Sequence, residues 1–362
     1  MSIHDFAELT GLDRADRLHT RLAAAKRAFT TRNVDFDCAV RMVRSGRRPE
    51  AGDVILARVT QLGQHRRIEN IHGRRGDLYV GDEIIVAYGN RYAPDQFEAY
   101  VPDDLGPCHL VAGGGVAARA TCRHAGIKPA TQIEVIGALM RGEGRALNLA
   151  DFAVPAPTRL RPPKVIAVVG SSMNAGKTTT VAGIVHGLTR AGFRVGAAKL
   201  TGTGSGGDLW SMHDAGAAMA VDFTDAGHAS TFGVAADELG RVTAALLGQL
   251  AESEVDLAVV EIADGLLQAE TAALIEMGCG RGWFDGVVFA AADAMGAAFG
   301  CNWLRQRGIT PLAISGLVSA SPLASREAER ATGIDIASLN DLRDPVAAAR
   351  IVFSDPAQQV AA

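Results

Sequence analysis

Gly170-Ser-Ser-Met-Asn-Ala-Gly-Lys-Thr-Thr179 decides the fold of the C-terminal half of this chain. Just before it, Val165-Ile-Ala-Val-Val169 is a continuous apolar run, as a parallel strand covered on both faces requires. Just after it, Val181, Ile184, Val185 and Leu188 recur at helical spacing within residues 178–190. A strand, a loop and a helix opening on Gly-Lys-Thr form the context in which backbone amides converge on phosphate oxygens. Gly176 permits close approach, and the positive end of the helix adds its field. Lys177 brings a point charge to the β- and γ-phosphates, and Thr178 offers a hydroxyl to Mg2+. With Ser172, Asn174, Ala175, Gly176 and Thr179 they make up the expected nucleotide-binding set. Gly170 stands five residues ahead of Gly176, counting those between, where the commonest pattern has four. Either Ser171 takes the place of the first glycine or the loop is a longer variant.

Beyond the loop, strands and helices alternate. Residues 194–199, 257–262, 286–290 and 312–318 read as strands, and 239–250 and 297–307 as helices. The expected fold class is α/β, a doubly wound parallel sheet over residues 164–362. Val154-Pro-Ala-Pro-Thr-Arg-Leu-Arg-Pro-Pro163 carries four prolines and reads as an extended linker over 154–163. Ahead of it, residues 51–153 form a β-rich accessory or substrate domain. Its strand-like runs are Val54 to Thr60, Asp77 to Val80, Glu83 to Tyr88 and Gln132 to Ile136, punctuated by Gly-Asp turns that suggest a small barrel or a sheet with little helix. Residues 1–50 read as helical, with Ser2 as N-cap and Leu18, Leu22, Ala25 and Phe29 at helical spacing.

Composition bounds the rest. A net charge of −4 over 362 residues gives no basic field for nucleic acid, and the arginine-rich stretches at Arg41–Arg48 and His65-Arg66-Arg67 are short solvated faces. The five cysteines (Cys38, Cys108, Cys122, Cys279 and Cys301) form no CxxC pair, and buried or partly buried thiols are expected. Cys108-His109 and Cys122-Arg123-His124 lack the usual zinc spacing. No run approaches the roughly 20 apolar residues of a membrane span, and the start lacks a secretion signal, so a cytoplasmic protein is expected.

The longer loop resembles that of dethiobiotin synthetase, where a glycine, five residues and Gly-Lys-Thr follow one another. Val195-Gly-Ala-Ala-Lys-Leu-Thr-Gly202, Val259-Val-Glu-Ile-Ala-Asp-Gly-Leu-Leu267, Asp293-Ala-Met-Gly296 and Leu312-Ala-Ile-Ser-Gly316 are similar to that family's segments, in the same order. Asp208-Leu-Trp-Ser-Met-His-Asp-Ala-Gly-Ala217 resembles the P-loop accessory protein of molybdopterin guanine dinucleotide synthesis. Together the likenesses cover residues 164–340 and imply a superfamily of nucleotide-dependent P-loop proteins, not a substrate. They also imply ATP (or GTP) with Mg2+ as cofactor, a small carboxylate as acceptor, and a homodimer. Residues 1–150 have no counterpart in dethiobiotin synthetase.

Carried over, Lys177 and Lys199 would flank the transferring phosphoryl group, with Thr201 and Gly202 on the substrate side. Lys199 ends a strand, where open α/β sheets bind ligands. Glu261 also ends an apolar strand, where an idle carboxylate is costly to bury, and a magnesium ligand is its natural use. Asp208 is either a further metal ligand or an N-cap, with Asp214 and Asp264 as rivals. His213 is either a substrate group or structural. Asn90, Arg91 and Tyr92 form a polar loop or a carboxylate grip, and Leu110-Val-Ala-Gly-Gly-Gly-Val116 a tight turn or an anion site. The leading expectation is an ATP- and magnesium-dependent ligase or kinase that activates a small carboxylate. Its alternative is a nucleotide-hydrolysing accessory protein that switches a partner or assists cofactor synthesis or delivery.

Overall fold

The computed structural model describes residues 14–155 and 157–354, which fall into two compact units. The first takes the chain through Ala153 together with 203–206 and 227–230; the second takes the remainder.

In the first unit, helix α1 (Arg14–Ala24) precedes β1 (Lys26–Arg27) and β2 (Arg41–Val43). The strands that follow are β3 (Val54–Gln61), β4 (Arg67–Glu69), β5 (Arg75–Asp77), β6 (Glu83–Tyr88), β7 (Arg91–Tyr92) and β8 (Phe97–Tyr100). The last three are β9 (Cys108–Ala112), β10 (Val116–Arg123) and β11 (Thr131–Met140). The sheet runs β6-β3-β11-β9-β10, and β10 pairs back on β6, so these strands close a ring. Closure leaves no edge within the ring. Side chains alternate between two apolar clusters, one holding Val54, Leu56 and Ile85 and the other Ile55, Ala57 and Ile84. The segments 203–206 and 227–230 pair with each other here: Thr203 bridges Ser230, and the Gly204 amide donates to the Ala229 carbonyl (2.8 Å). The buried Glu69 carboxylate accepts from the Gly206 amide (3.1 Å) and from Ser205 Oγ (3.3 Å).

The helical reading of residues 1–50 is corrected beyond Ala24; its first part, Ser2 included, lies outside the described residues. Leu18 and Leu22 are buried as the period demands, but Phe29 enters the core from a short 3-10 turn. Lys26 and Arg27 pair with Ile84 and Ile85 of β6, and the Arg27 guanidinium satisfies the carbonyls of Thr31, Arg32 and Val34. Backbone groups that a helix would have closed internally find partners in the barrel and in this arginine instead. The strand read at 77–80 is also displaced: Asp77 ends β5, and Tyr79 and Val80 are exposed.

In the second unit a parallel sheet comprises β12 (Val165–Gly170), β13 (Val195–Lys199), β14 (Met219–Asp222), β15 (Leu257–Glu261), β16 (Gly286–Ala290) and β17 (Ala313–Ser315). Their order is β14-β13-β15-β12-β16-β17, every pairing parallel. Helices α2 (Lys177–Arg190), α3 (Gly207–Asp214), α8 (Leu339–Arg343) and α9 (Pro345–Phe353) cover one face. Helices α4 (Ala236–Glu252), α5 (Ala269–Gly280), α6 (Ala294–Arg305) and α7 (Pro322–Thr332) cover the other. Strand β12 shows why: Val165, Ala167 and Val169 enter one cluster, Ile166 and Val168 the other, all fully buried. Each such valine or isoleucine contributes roughly 1.5–3 kcal/mol. The expected α/β doubly wound sheet is the fold observed. Helix α3 ends at Asp214: the amides of Gly216 and Ala217 close on the carbonyls of His213 and Met212, and Met219 opens β14.

The proline-rich run packs within this unit. Thr158 donates from its amide (2.7 Å) and hydroxyl (3.0 Å) to Glu252 Oε1, and Arg161 pairs with Asp285 (2.7 Å). Among the described residues no helix is long and apolar enough to cross a membrane.

Candidate functional site: a phosphate loop with a carboxylate pair

From β12 the chain goes to β13 on one side of the sheet, and β16 later takes the other flank, so the crossover switch lies at the carboxyl end of β12. Ligands of open α/β sheets bind at such points. The loop 171–176 sits there. Asn174 takes φ 64, a conformation asparagine tolerates, and Gly176 takes φ 103. Gly176 lies against Gly316, where a Cβ would stand 2.8 Å from the Gly316 Cα, so the loop needs glycine there for both reasons. Among the described residues no side chain caps the start of α2, which leaves its first amides for an outside acceptor.

Ser172, Asn174 and Thr179 are exposed, while Ala175 and Lys177 are buried. Lys177 Nζ donates to the Ser172 carbonyl (2.9 Å), folding back over the loop. Burial depresses the lysine's pKa below its usual value, against the opposing pull of Glu261 and Asp264. An anion seated on the loop would reverse that penalty.

Register aligns the charged strand ends. Lys199 on β13 stands opposite Glu261 on β15, and Glu261 opposite Val168 on β12. The Thr178 hydroxyl lies 3.0 Å from Asp208 Oδ1 and 3.2 Å from Glu261 Oε1. One hydroxyl hydrogen serves only one carboxylate at a time. Lys199 Nζ pairs with Asp208 and lies 3.8 Å from Glu261 Oε1. Glu261 is 2% exposed, and its Oε2 is buried with no hydrogen-bond partner among the described residues. A buried carboxylate oxygen left bare is costly, and a cation would satisfy it. Among the described residues no group of three or more His, Cys, Asp or Glu could hold a metal alone. Magnesium does not need one, since it is held through one or two carboxylates together with phosphate oxygens and water. Thr178, Asp208 and Glu261 suit that mode.

The structure thus brings together Lys177, Thr178, Lys199, Asp208 and Glu261. Asp208 lies in the first turn of α3 with its carboxylate on Thr178 and Lys199, so its side chain is used outward and not as an N-cap. Asp214 and His213 are exposed at the other end of α3, away from the Thr178 hydroxyl. Asp264 is half-buried within electrostatic range of Lys177 and Lys199. Thr201 is buried, its Oγ1 accepting from the Ala263 amide (2.8 Å), and the Gly202 amide donates to Thr231 Oγ1 (2.8 Å). Both residues therefore brace the loops around the site. Thr231 and Thr271, which complete that bracing, carried no sequence signal.

Arg91 is buried and donates to the Val111 carbonyl, and Asn90 Oδ1 accepts from the Val101 amide (2.9 Å). The Gly113–Gly115 run turns β9 into β10, its carbonyls accepting from Glu69, Thr30 and Ala87. All five cysteines are free thiols.

No family model matches the chain, and no curated protein matches it. Among solved structures it is similar to the signal recognition particle 54 kDa protein from Aeropyrum pernix K1 in complex with GDP, at 16% identity and TM-score 0.37, covering 59% of this chain and 53% of that one. It is also similar to the signal recognition particle receptor FtsY from Elizabethkingia anophelis, at 16% identity and TM-score 0.29, covering 56% and 58%. FtsY from Thermotoga maritima matches at 16% identity and TM-score 0.34, covering 57% and 74%. The chain spans little more than half the length of the first two. What the geometry itself displays is a P-loop α/β unit with a hydroxyl, two carboxylates and two lysines gathered at the phosphate end.

Proposed function

We propose that this chain binds a nucleoside triphosphate with magnesium and hydrolyses it, acting as an accessory protein that switches a partner or assists the synthesis or delivery of a cofactor. The observation that carries the reading is the Thr178 hydroxyl held 3.0 Å from Asp208 and 3.2 Å from Glu261 at the uncapped start of α2. Ser172, Asn174, Ala175, Gly176, Lys177, Thr178 and Thr179 bind the phosphates. Thr178, Asp208 and Glu261 hold the ion. When bound, magnesium supplies positive charge to the β- and γ-phosphate oxygens. Lys177 releases the Ser172 carbonyl to reach the phosphates, and Lys199 exchanges its carboxylate partner for developing phosphoryl charge. The β-rich domain assigned to residues 51–153 is the accessory or acceptor-binding part.

The ligase reading, with its small carboxylate acceptor, rests on the resemblance to dethiobiotin synthetase, as do the homodimer and the choice of ATP over GTP. The lysine pair at Lys177 and Lys199 is compatible with it. Thr201 and Gly202, its substrate residues, are taken up in bracing.

The test is calorimetric titration with ATP and with GTP, each with magnesium and with chelator, followed by phosphate release with and without a panel of small acids. Magnesium-assisted affinity for a triphosphate and slow hydrolysis unmoved by the acids are expected. Release that requires one acid restores the ligase reading. Absence of affinity for either triphosphate ends both.

A further inference from the structure

Asp264 differs from the other carboxylates at the phosphate end. Asp208 and Glu261 meet the Thr178 hydroxyl, whereas Asp264 makes no hydrogen bond or ion pair among the described residues. Its backbone takes φ 64, a left-handed conformation that aspartate, like asparagine, tolerates. The chain around it is pinned. Before it, the Ala263 amide donates to Thr201 Oγ1 (2.8 Å) and the Ala263 carbonyl accepts from Thr271 Oγ1 (2.6 Å). After it, the Leu266 amide donates to the Gly170 carbonyl (3.1 Å). Gly265 runs so close to the phosphate loop that a Cβ would stand 2.6 Å from the Ser171 carbonyl oxygen. A half-buried carboxylate without a partner, fixed from both sides beside the phosphate loop, is a candidate for chemistry.

We infer that Asp264 is the base that receives the proton of the attacking water, an inference that rests on the hydrolysis proposed above. The water oxygen bonds to the γ-phosphorus as the bond to the β,γ-bridging oxygen breaks. The electron pair of that bond leaves with the nucleoside diphosphate. The water proton passes to the Asp264 carboxylate and then to the released phosphate or to solvent. The groups that face Asp264 are Lys177 from α2, Lys199 from β13, Glu261 from β15 and Glu270 from α5. Burial raises its pKa and outweighs the two lysines, which leaves a carboxylate more basic than an exposed one.

Asp264→Asn keeps a side chain that tolerates the left-handed backbone and removes the proton acceptor. Asp264→Gly keeps the backbone and opens space for a small acid. In the full chain with magnesium, both variants should bind a non-hydrolysable triphosphate within threefold of the native affinity. Single-turnover hydrolysis should fall about 100-fold in both, with added formate restoring part of the rate of Asp264→Gly. Hydrolysis by Asp264→Asn within fivefold of the native rate overturns the inference. So does loss of nucleotide affinity in both variants, which would make Asp264 part of the binding frame. A native chain that binds no triphosphate overturns the hydrolysis reading itself and is told apart by that control.

Discussion

Lys199 and Glu261 face each other in register at the carboxyl ends of neighbouring parallel strands, with Nζ 3.8 Å from Oε1. The same ammonium pairs with Asp208, so one cation serves both carboxylates at the phosphate end. Lys199 thus bridges two acids that would otherwise repel, in the place where a divalent ion would do the same.

Replacing Lys199 by methionine should therefore destabilise the protein when no metal is present. Removing one partner of a buried pair costs about 3–5 kcal/mol, and the partial exposure of Asp208 puts this case near 3 kcal/mol. Added magnesium should restore part of the loss in the variant and little in the native chain. Urea denaturation with and without magnesium reads both effects; an unchanged midpoint without metal would refute the account.

Thr178→Val preserves shape and removes the hydroxyl between Asp208 and Glu261. Without nucleotide the cost should be about 1 kcal/mol, that of one hydrogen bond. With magnesium, triphosphate affinity should fall about tenfold, equivalent to 1.4 kcal/mol, while affinity in chelator stays as it was. A uniform loss in both conditions would mean that Thr178 binds phosphate and not the ion.

Most of the second unit was legible because periodicity and placement agreed. The run Val165–Val169 is apolar throughout because both faces are covered, and Glu261 stood out as a carboxylate ending such a run. Asp208 was ambiguous, since a residue opening a helix can cap it or point elsewhere; only the folded structure shows that its side chain meets Thr178 and Lys199. Long-range closure left no local trace either. The pairing of Val116 with Ala87 that shuts the barrel joins residues whose local patterns say nothing of each other. Phe29 continued the helical period of Leu18 and Leu22 by coincidence, because an apolar residue entering the core from a turn leaves the same mark.

Glu83 ties α1 to the barrel. Arg21 reaches it with Nε (2.8 Å) and Nη2 (2.7 Å), and Arg58 adds a further bond (2.9 Å). The hydrogen bond from Arg21 comes first among the causes that hold its pKa at about 2. A carboxylate depressed on folding stabilises fully above its unfolded value near 4.5 and loses that contribution as pH falls from there toward 2. With partial exposure discounted, the contribution is about 1–2 kcal/mol. Glu83→Gln should lower stability by that amount at pH 7 and by much less near pH 2, as followed by denaturation across pH. Parallel curves for the two proteins would remove Glu83 from the account.

Lys177 combines the site's two states in one side chain. Without an anion, burial disfavours its charged form, so the folded chain carries a penalty. For a cation with a lowered folded pKa, the penalty is complete below that pKa and fades as pH rises from there to the ordinary lysine value of 10.5. Lys177→Met removes the penalty. In the absence of nucleotide the variant should be at least as stable as the native chain at neutral pH, and its stability should change less across the alkaline window. With a magnesium triphosphate at a hundredfold its dissociation constant, the native chain should gain about 2.7 kcal/mol and the variant almost nothing. The crossing of these two behaviours separates a phosphate-binding lysine from one buried for packing, which would destabilise on removal and leave the nucleotide effect intact.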